Sequence, residues 1–175
     1  MIRKLYSKYR SLFWTLERQA KYEGVVIGKN NYIASHFWGS EPYLIKIGSF
    51  CQITQGVKIF THGGGAVLRH KYPDFDCFGR VTIGNFVYLG NNVLIMPGVE
   101  IGDNVLVAGG SVVTKSIPSG SVVGGNPARY ICSIDDYERN NLKYNTHSKN
   151  MSPQEKKKIL LSMDESLFIK KRFLK

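Results

Sequence analysis

Hydrophobic and polar positions repeat every six residues between Val81 and Pro118. One column of positions holds large aliphatic side chains, and the position four residues later holds a small or branched one. The two columns are Ile83, Leu89, Ile95, Ile101, Val107 and Val113, then Val87, Val93, Val99, Val105, Ser111 and Ile117. A short fixed period is typical of a parallel β-helix. The alternative, a few ordinary alternating strands, does not explain why the phase survives every turn.

The repeat also predicts how successive turns stack. Each hexapeptide forms one flat side and one corner, so three of them close a triangular turn of 18 residues. Turns should lie about 4.8 Å apart, the usual spacing of strands. The expected pairs are Ile83 over Ile101, Leu89 over Val107 and Ile95 over Val113. The Gly-Asn and Gly-Asp steps, such as Gly84-Asn85, are predicted to bend the chain through a positive φ.

One slip and one excursion interrupt the pattern upstream. From Ile33 to Ile47 there are 14 residues, two hexapeptides and two more, which predicts an irregular first turn. From Ile59 to Ile83 there are 24 residues, four whole hexapeptides, so the register should survive the segment between them. Residues 63–80 contain consecutive glycines and a proline, and they are predicted to leave the repeat as a loop. Long loops on repeat scaffolds often carry function.

The segments outside the repeat domain, residues 25–131, predict helices. Residues 1–24 have apolar side chains at helical spacing over positions 2–22, which indicates an amphipathic helix. This helix either packs against the repeats or lies on a membrane surface. Residues 132–175 predict a basic helical tail, with a capping box that begins at Ser152 and seven basic residues beyond it. The tail either docks on the domain and braces a trimer, or contacts anionic lipid.

Composition narrows the class of protein. The 175 residues carry a net charge of +11, but the charge is spread along the chain and no nucleic-acid motif accompanies it, so no nucleic-acid partner is expected. The sequence has neither a run of eighteen apolar residues nor a secretory signal, which predicts a cytoplasmic protein, at most peripheral at the inner face of the membrane. The three cysteines show no CxxC spacing and predict reduced thiols. Cys51 occupies an inward position, and Cys77 has no paired base that would make it a nucleophile.

Three features carry a family resemblance: the repeats, the closing sequence IGDNVLVAGGSVVTKSIPSGSVVGGNPAR, and Phe60-Thr61-His62 before the loop. Together they resemble the hexapeptide-repeat acyltransferases, and within them the sugar and polysaccharide O-acetyltransferases of the maltose and galactoside acetyltransferase type. The resemblance implies an all-β fold, a left-handed parallel β-helix with N-terminal and C-terminal helices. It also implies acetyl-CoA as co-substrate and a sugar or surface-polysaccharide precursor as acceptor.

The outward positions of the repeat favour an oligomer. Tyr88, Leu94, Leu106 and Val112 are more apolar than a free surface should be, and only Glu100 interrupts them. In the resembling family such faces pack around a threefold axis, with the active site between subunits. The resemblance therefore implies a homotrimer.

His62 is the candidate general base. The resemblance implies that it removes a proton from the acceptor hydroxyl, which then attacks the thioester directly. Imidazole titrates near pH 6.5 in model peptides, which suits a base at neutral pH. Taken alone, a histidine beside three glycines is more often an ordinary loop residue. His70, Asp74 and Asp76 lie in the same loop and either orient His62, bind acceptor or are simply solvated.

The later turns are the candidate acetyl-CoA site, because glycine-rich edges admit the pantetheine arm and basic side chains hold phosphates. The residues that match the family's contact positions are Asn91, Gly109, Gly110, Thr114, Lys115 and Arg129. Tyr88, a candidate acceptor contact, stands where many relatives have tryptophan, and Gly64 stands where some have a second histidine. Each of these glycines is equally suited to a plain turn.

Other functions of the same scaffold are the alternatives to this hypothesis. The same scaffold also carries N-acetyltransferases that act on amino-sugar nucleotides, and non-catalytic binding proteins. Carbonic-anhydrase-like relatives hold zinc with three histidines, one pair at HxxxxH spacing. His36, His62, His70 and His147 do not show that spacing, so no metal is predicted.

Overall fold

Three sheets, built from parallel pairs except at the last strand, organise the part of the chain that the computed structural model describes, residues 12–171 and 173. From β3 (Ile45–Ile47) to β11 (Val112–Val113), successive strands join sheet A, then sheet B, then sheet C, and the rotation starts again. Sheet A contains β1 (Val26–Ile27), β3 (Ile45–Ile47), β6 (Val81–Ile83) and β9 (Glu100–Ile101). Sheet B contains β2 (Tyr32–Ile33), β4 (Gln52–Ile53), β7 (Tyr88–Leu89), β10 (Leu106–Val107), β12 (Ser121–Gly124) and β13 (Arg129–Ser133). Sheet C contains β5 (Lys58–Ile59), β8 (Leu94–Ile95) and β11 (Val112–Val113).

The register between turns follows the hexapeptide arithmetic. The observed pairs include Ile83 with Ile101, Leu89 with Val107 and Ile95 with Val113. All three predicted pairs are confirmed. Pairs that span the loop of residues 63–80, such as Ile59 with Ile95, lie 36 residues apart. The loop therefore adds the length of one whole turn, and the register survives it as predicted.

The first turn is irregular, which confirms the prediction from the slip. Strand β1 pairs with β3, and β2 with β4, at offsets of 20 residues instead of 18. The segment with the extra residues contains a 3-10 turn at Pro42–Leu44. The inward phase shifts here, so that Trp38 is buried whereas Phe37 is exposed and bridges to Lys58 of sheet C.

Glycine is required at the corners between sheets A and B because successive turns approach each other closely there. The predicted role of these glycines, which was to bend the chain through a positive φ, is wrong. Gly84 is not among the residues with a positive φ, and the positive φ of 56° belongs to Phe86. A Cβ atom on Gly84 would lie 2.7 Å from the carbonyl carbon of Gly102 in the next turn. The polar side chains link the turns: Asp103 Oδ1 accepts a hydrogen bond from the Asn85 N–H at 2.6 Å. Spacing between turns, and not backbone bending, explains the Gly-Asn and Gly-Asp steps.

The inward columns form one continuous core. Ile53, Leu89 and Val107 stack along sheet B and are fully buried. Burying an aliphatic side chain of this size contributes about 1.5–3 kcal/mol. The core makes the stacked turns rigid and fixes the corners from which the candidate site residues project.

The outward faces of the three sheets differ in polarity. The outward residues of sheet A are Val26, Lys46, Thr82 and Glu100. Those of sheet B include Tyr32, Gln52, Tyr88 and Leu106, and those of sheet C are Lys58, Leu94 and Val112. Glu100 therefore does not interrupt an apolar surface, as the sequence prediction supposed, because it lies on a separate polar face. In the turns that follow the loop of residues 63–80, the neighbouring faces of sheets B and C therefore carry apolar side chains.

Helix α1 (Leu16–Glu23) precedes the first strand. Its N-cap is Thr15, whose hydroxyl accepts from the Arg18 N–H, and it ends at Gly24 in the left-handed conformation. In its described part, the predicted helix over positions 2–22 is interrupted: Leu12 and Phe13 are helical, Trp14 and Thr15 are not, and α1 begins at Leu16. Positions 2–11 of that prediction lie outside the described residues.

The chain divides into two compact units between Ile134 and Asp135. Strand β13 pairs antiparallel with β12 and ends the stack of turns. The helical elements that follow are α2 (Ile134–Asn141), α3 (Pro153–Ser162) and 3-10 turns at Leu142–Tyr144 and Glu165–Leu167. The capping box predicted from Ser152 is confirmed, since Ser152 and Glu155 bond to each other's backbone. Within the described residues, no helix combines the length and the apolar character needed to cross a membrane.

Candidate active site

His62 lies at the base of the loop, three residues after strand β5. It forms an isolated antiparallel bridge with Phe78, and the Gly79 N–H donates to the Thr61 carbonyl at 2.8 Å. The imidazole ring also packs against the Phe78 ring, with centroids 5.6 Å apart. Both ends of the loop are therefore joined at His62, which gives this side chain a defined place on the scaffold.

The carboxylate of Glu41 contacts the imidazole directly. Its Oε2 atom lies 2.7 Å from His62 Nδ1, and the Thr61 hydroxyl donates to the same oxygen at 2.7 Å. Ser40 Oγ lies 3.5 Å from Nδ1. The Glu41 side chain is 16% exposed and the His62 side chain 37% exposed, so the carboxylate is sheltered while the imidazole remains accessible.

The hydrogen bonds decide which ring nitrogen carries the proton. The hydrogen bond from Thr61 lowers the pKa of Glu41, burial acts in the opposite direction, and the hydrogen bond and charge of His62 lower it further. An ionised carboxylate can only accept hydrogen bonds, so Nδ1 of His62 must donate. In the neutral ring Nε2 then keeps its lone pair, and it is the atom able to take a proton from a ligand.

A cleft of about 410 Å³ opens beside His62. Its lining residues are Phe37, Gly39, Ser40, Phe60, Thr61 and His62. The rings of Phe37 and Phe60 pack at 5.3 Å between centroids and form an apolar wall. A base at the edge of such a cleft can remove a proton from a bound hydroxyl group.

The other predicted loop residues do not orient His62. His70 Nδ1 donates to the Val67 carbonyl at 2.8 Å, and Asp76 pairs with Arg69 at 3.6 Å. Asp74 is exposed within the same loop. The orienting role proposed for His70, Asp74 and Asp76 is therefore filled by Glu41. Their contact with an acceptor stays a prediction.

The predicted acetyl-CoA contacts separate into two groups. Asn91, Gly109 and Gly110 share the corner between sheets B and C, where the Gly110 N–H donates to the Asn91 carbonyl at 2.8 Å. Thr114 and Lys115 follow strand β11, on the corner that carries His62 two turns earlier.

Arg129 lies near the second group. Lys115 and Arg129 both line a cleft of about 290 Å³, together with Tyr130. Two basic side chains in one cleft suit the phosphates of a nucleotide ligand. Tyr88 and Asn91 line another cleft, of about 580 Å³, which Leu16 of helix α1 borders.

Metal ligation has no support in the described geometry. Among residues 12–171, no three His, Cys, Asp or Glu side chains converge closely enough to hold an ion. His62 itself is engaged by a carboxylate on one nitrogen, an arrangement that suits proton transfer.

Comparison with known proteins identifies the family. Residues 80–115 match the family described as bacterial transferase hexapeptide (six repeats). Protein CapG of Staphylococcus aureus is 51% identical over 126 residues, which cover 71% of this chain and 73% of CapG. The galactoside O-acetyltransferase of Escherichia coli K12 is 34% identical over 149 residues, covering 79% of this chain and 72% of that enzyme. The chain belongs to the hexapeptide-repeat acetyltransferases.

A solved structure extends the similarity to three dimensions. A galactoside acetyltransferase in complex with coenzyme A superposes with a TM-score of 0.56 and 28% identity, over 65% of this acetyltransferase and 67% of that chain. The predicted family is therefore confirmed.

Sequence reasoning missed Glu41 as a member of the acetyltransferase's candidate site. The signal that could have found it is the slip in the first turn, because it makes that turn 20 residues long instead of 18. Counting 20 residues back from His62 leads to position 42, next to Glu41. A carboxylate one turn below a candidate base is a natural partner for its second ring nitrogen.

Proposed function

We propose that this protein transfers an acetyl group from acetyl-CoA to a hydroxyl group of a sugar or surface-polysaccharide precursor, with His62 as the general base. The observation that carries the proposal is the Glu41–His62 pair, which leaves Nε2 as the proton acceptor beside an open cleft. The similarity to a galactoside O-acetyltransferase supports a sugar hydroxyl as the acceptor.

The acetyl group passes directly from coenzyme A to the acceptor, and no acylated form of the protein is made. Nε2 of His62 takes the acceptor's hydroxyl proton as the oxygen attacks the thioester carbon. The Glu41 carboxylate stabilises the imidazolium that forms, since it accepts from Nδ1. The carbon–sulfur bond then breaks, and the imidazolium returns its proton to the departing thiolate. The products are an acetyl ester and free coenzyme A.

In this proposal acetyl-CoA is held along the turns that follow the loop of residues 63–80. The glycines Gly109 and Gly110 leave room beside the backbone for the pantetheine arm. Lys115 and Arg129 would contact the phosphates, because they share one cleft near the end of the stack. Support comes from the related galactoside acetyltransferase, whose structure was solved with coenzyme A.

The proposal includes a left-handed coil and a homotrimer with the active site between subunits. The trimer is supported by the apolar outward side chains on two neighbouring faces, Tyr88 and Leu106 on sheet B and Leu94 and Val112 on sheet C. Asn91 lies on a different corner from His62, so in this proposal the pantetheine arm beside Asn91 reaches the His62 of another copy. Thr114 and Lys115 lie on the corner of His62 itself.

Contact with an anionic membrane at the cytoplasmic face is a further part of the proposal. Helix α3 carries Lys156, Lys157 and Lys158, and Leu161 beside them is 79% exposed. Lysines next to an exposed leucine suit a surface of anionic headgroups. Replacing the three lysines by glutamine should abolish sedimentation with phosphatidylserine vesicles and leave phosphatidylcholine vesicles unbound in both forms. Binding that survives the replacement would contradict this contact.

The experiment for the central proposal is incubation of the protein with acetyl-CoA and a panel of sugars, followed by mass spectrometry. An acetyl ester is cleaved by mild base, whereas an amide survives, so the same sample distinguishes O-acetylation from N-acetylation of an amino sugar. Free thiol should appear in step with the acetylated product. A protein that neither binds coenzyme A nor releases thiol with any acceptor would contradict the proposal and favour a non-catalytic β-helix.

A further inference from the structure

A second cleft adjoins the one beside His62, with the Phe37 ring between them. It has a volume of about 390 Å³, and the polar residues in its lining are Ser35, His36, Gln55 and Lys58. Phe37 packs against Phe60 on the His62 side and lies 5.6 Å from the Lys58 ammonium group on the other. A ligand that extends across Phe37 would therefore occupy both clefts.

The ionisable side chains described in the two clefts are all basic. Among the described residues, the ionisable side chains that line them are His36, Lys58 and His62, and no aspartate or glutamate is present. None of the ion pairs within residues 12–171 includes Lys58. Glu41, which lies behind His62, is already bonded to Thr61 and to the imidazole. An anion bound at Lys58 would meet no competing carboxylate in either lining.

Lys58 is also a charged residue in a column of outward residues on sheet C that is otherwise apolar. Lys58 is the outward residue of β5, and the outward residues that continue its column are Leu94 and Val112. In the described strands of sheet C it is the only charged residue. A cation at the edge of an apolar face, beside an open cleft, can recognise an anionic group.

We infer that the cleft of His36 and Lys58 binds a phosphate or carboxylate group of the acceptor, while the reacting hydroxyl lies against His62. The inference rests on the proposed function and specifies its substrate class as an anionic sugar, either a sugar phosphate, including a nucleotide diphosphate sugar, or a uronate. The Lys58 ammonium supplies the charge, and His36 and Gln55 supply further hydrogen-bonding groups at the cleft.

The test compares acceptors that share one sugar and differ in charge. The kcat/KM values for a hexose 1-phosphate, its nucleotide diphosphate form and the corresponding uronate are each divided by the value for the uncharged methyl glycoside. The wild-type protein should prefer at least one charged form. Lys58→Gln should reduce that preference by about 10- to 100-fold, the loss expected for one charge-assisted hydrogen bond. Comparing the phosphate and uronate ratios shows which anion is recognised.

Two matched variants complete the experiment. Lys58→Arg keeps the charge and should keep most of the preference. Lys46→Gln removes an exposed lysine at the equivalent outward position of sheet A, and it should leave the preference as in the wild type. Light scattering on all variants checks that the oligomeric state is the same, because Lys58 adjoins the apolar face.

The outcomes separate this inference from the proposed function. If neutral and charged acceptors are acetylated equally well by the wild type, or if Lys58→Gln leaves the preference intact, the anionic subsite is contradicted while acetyl transfer stands. A Lys58→Gln variant whose KM rises for acetyl-CoA and not for the acceptor would show that the anion belongs to coenzyme A, which also overturns the inference. If no acceptor is acetylated at all, the proposed function itself fails.

Discussion

The Oε2 atom of Glu41 lies 2.7 Å from Nδ1 of His62, although the two residues come from different turns of the repeat. One extra hydrogen bond from Thr61 to the same oxygen favours the ionised carboxylate. In the proposed function, this contact orients the loop-edge histidine so that it can act as the base.

Replacing Glu41 by glutamine should slow acetyl transfer by about 10²-fold or more with little change in coenzyme A binding. Glutamine can fill the same space but presents an amide group to Nδ1, so the proton is no longer held there and the imidazolium loses its counter-charge. Steady-state kinetics should show the loss in kcat. Glu100→Gln, on the outward face of sheet A, serves as the control and should retain full activity. Equal kcat in the Glu41 variant and the wild type would exclude a positioning role.

The contribution of Glu41 to stability should depend on pH. Because the fold lowers the pKa of this carboxyl below its ordinary value of 4.5, the ionised form is favoured in the native state. The stabilisation is therefore fully present above pH 4.5 and is lost as pH falls through the lowered pKa of the folded state. Urea unfolding of wild type and Glu41→Gln should show a difference in unfolding free energy that shrinks on acidification below 4.5. A difference that grows in acid would contradict the assignment.

The spacing of the turns should make Gly84 intolerant of a methyl group. A Cβ atom there would meet the Gly102 carbonyl carbon at 2.7 Å, and backbone cannot move aside as a flexible side chain can. We expect Gly84→Ala to lower the free energy of unfolding by about 1–3 kcal/mol. Gly63→Ala is the matched control, because a Cβ at Gly63 has no atom within 4 Å. Equal unfolding midpoints for the two variants would contradict the close-approach explanation.

The trimer proposal predicts that a charged side chain on the apolar face of sheet C disrupts assembly, whereas one on sheet A does not. Leu94→Glu places a charge on the apolar outward face of sheet C, and it should convert the trimer to monomer in light scattering at micromolar protein. Thr82→Glu makes a comparable change at a half-buried outward position of sheet A and should leave the trimer intact. A monomeric wild-type protein would contradict the proposal outright.

Most of the fold could be predicted because its determinants are local and repeated. Each inward aliphatic, such as Leu89 or Val107, recurs at a fixed interval, and the interval alone gives the pairing between turns. The physical reason assigned to the Gly-Asn steps was wrong even though their location was right. The sequence shows where a glycine stands, but only the three-dimensional stack shows that its missing side chain admits the next turn.

The candidate site could be predicted only in part. His62 is predicted from its place before the loop together with the family resemblance, and its role as the base stays a prediction. Glu41 was not predicted, because its contact depends on the 20-residue length of one irregular turn and on the 3-10 turn at Pro42–Leu44. The inferred role of Lys58 could not come from the sequence either, since it depends on the column of outward residues, Leu94 and Val112, that continues above it.

The most direct test of the central claim is the turnover of His62→Ala, measured as thiol release and acetylated product from acetyl-CoA and the acceptor found in the panel. Removal of a general base costs about 10²–10⁴-fold in rate, and coenzyme A binding should persist because its proposed contacts lie from Asn91 to Arg129. His70→Ala, in the same loop, is the control and should lose far less. We expect a fall in kcat of that size for His62→Ala alone. A His62→Ala variant that retains most of its turnover would contradict the central claim.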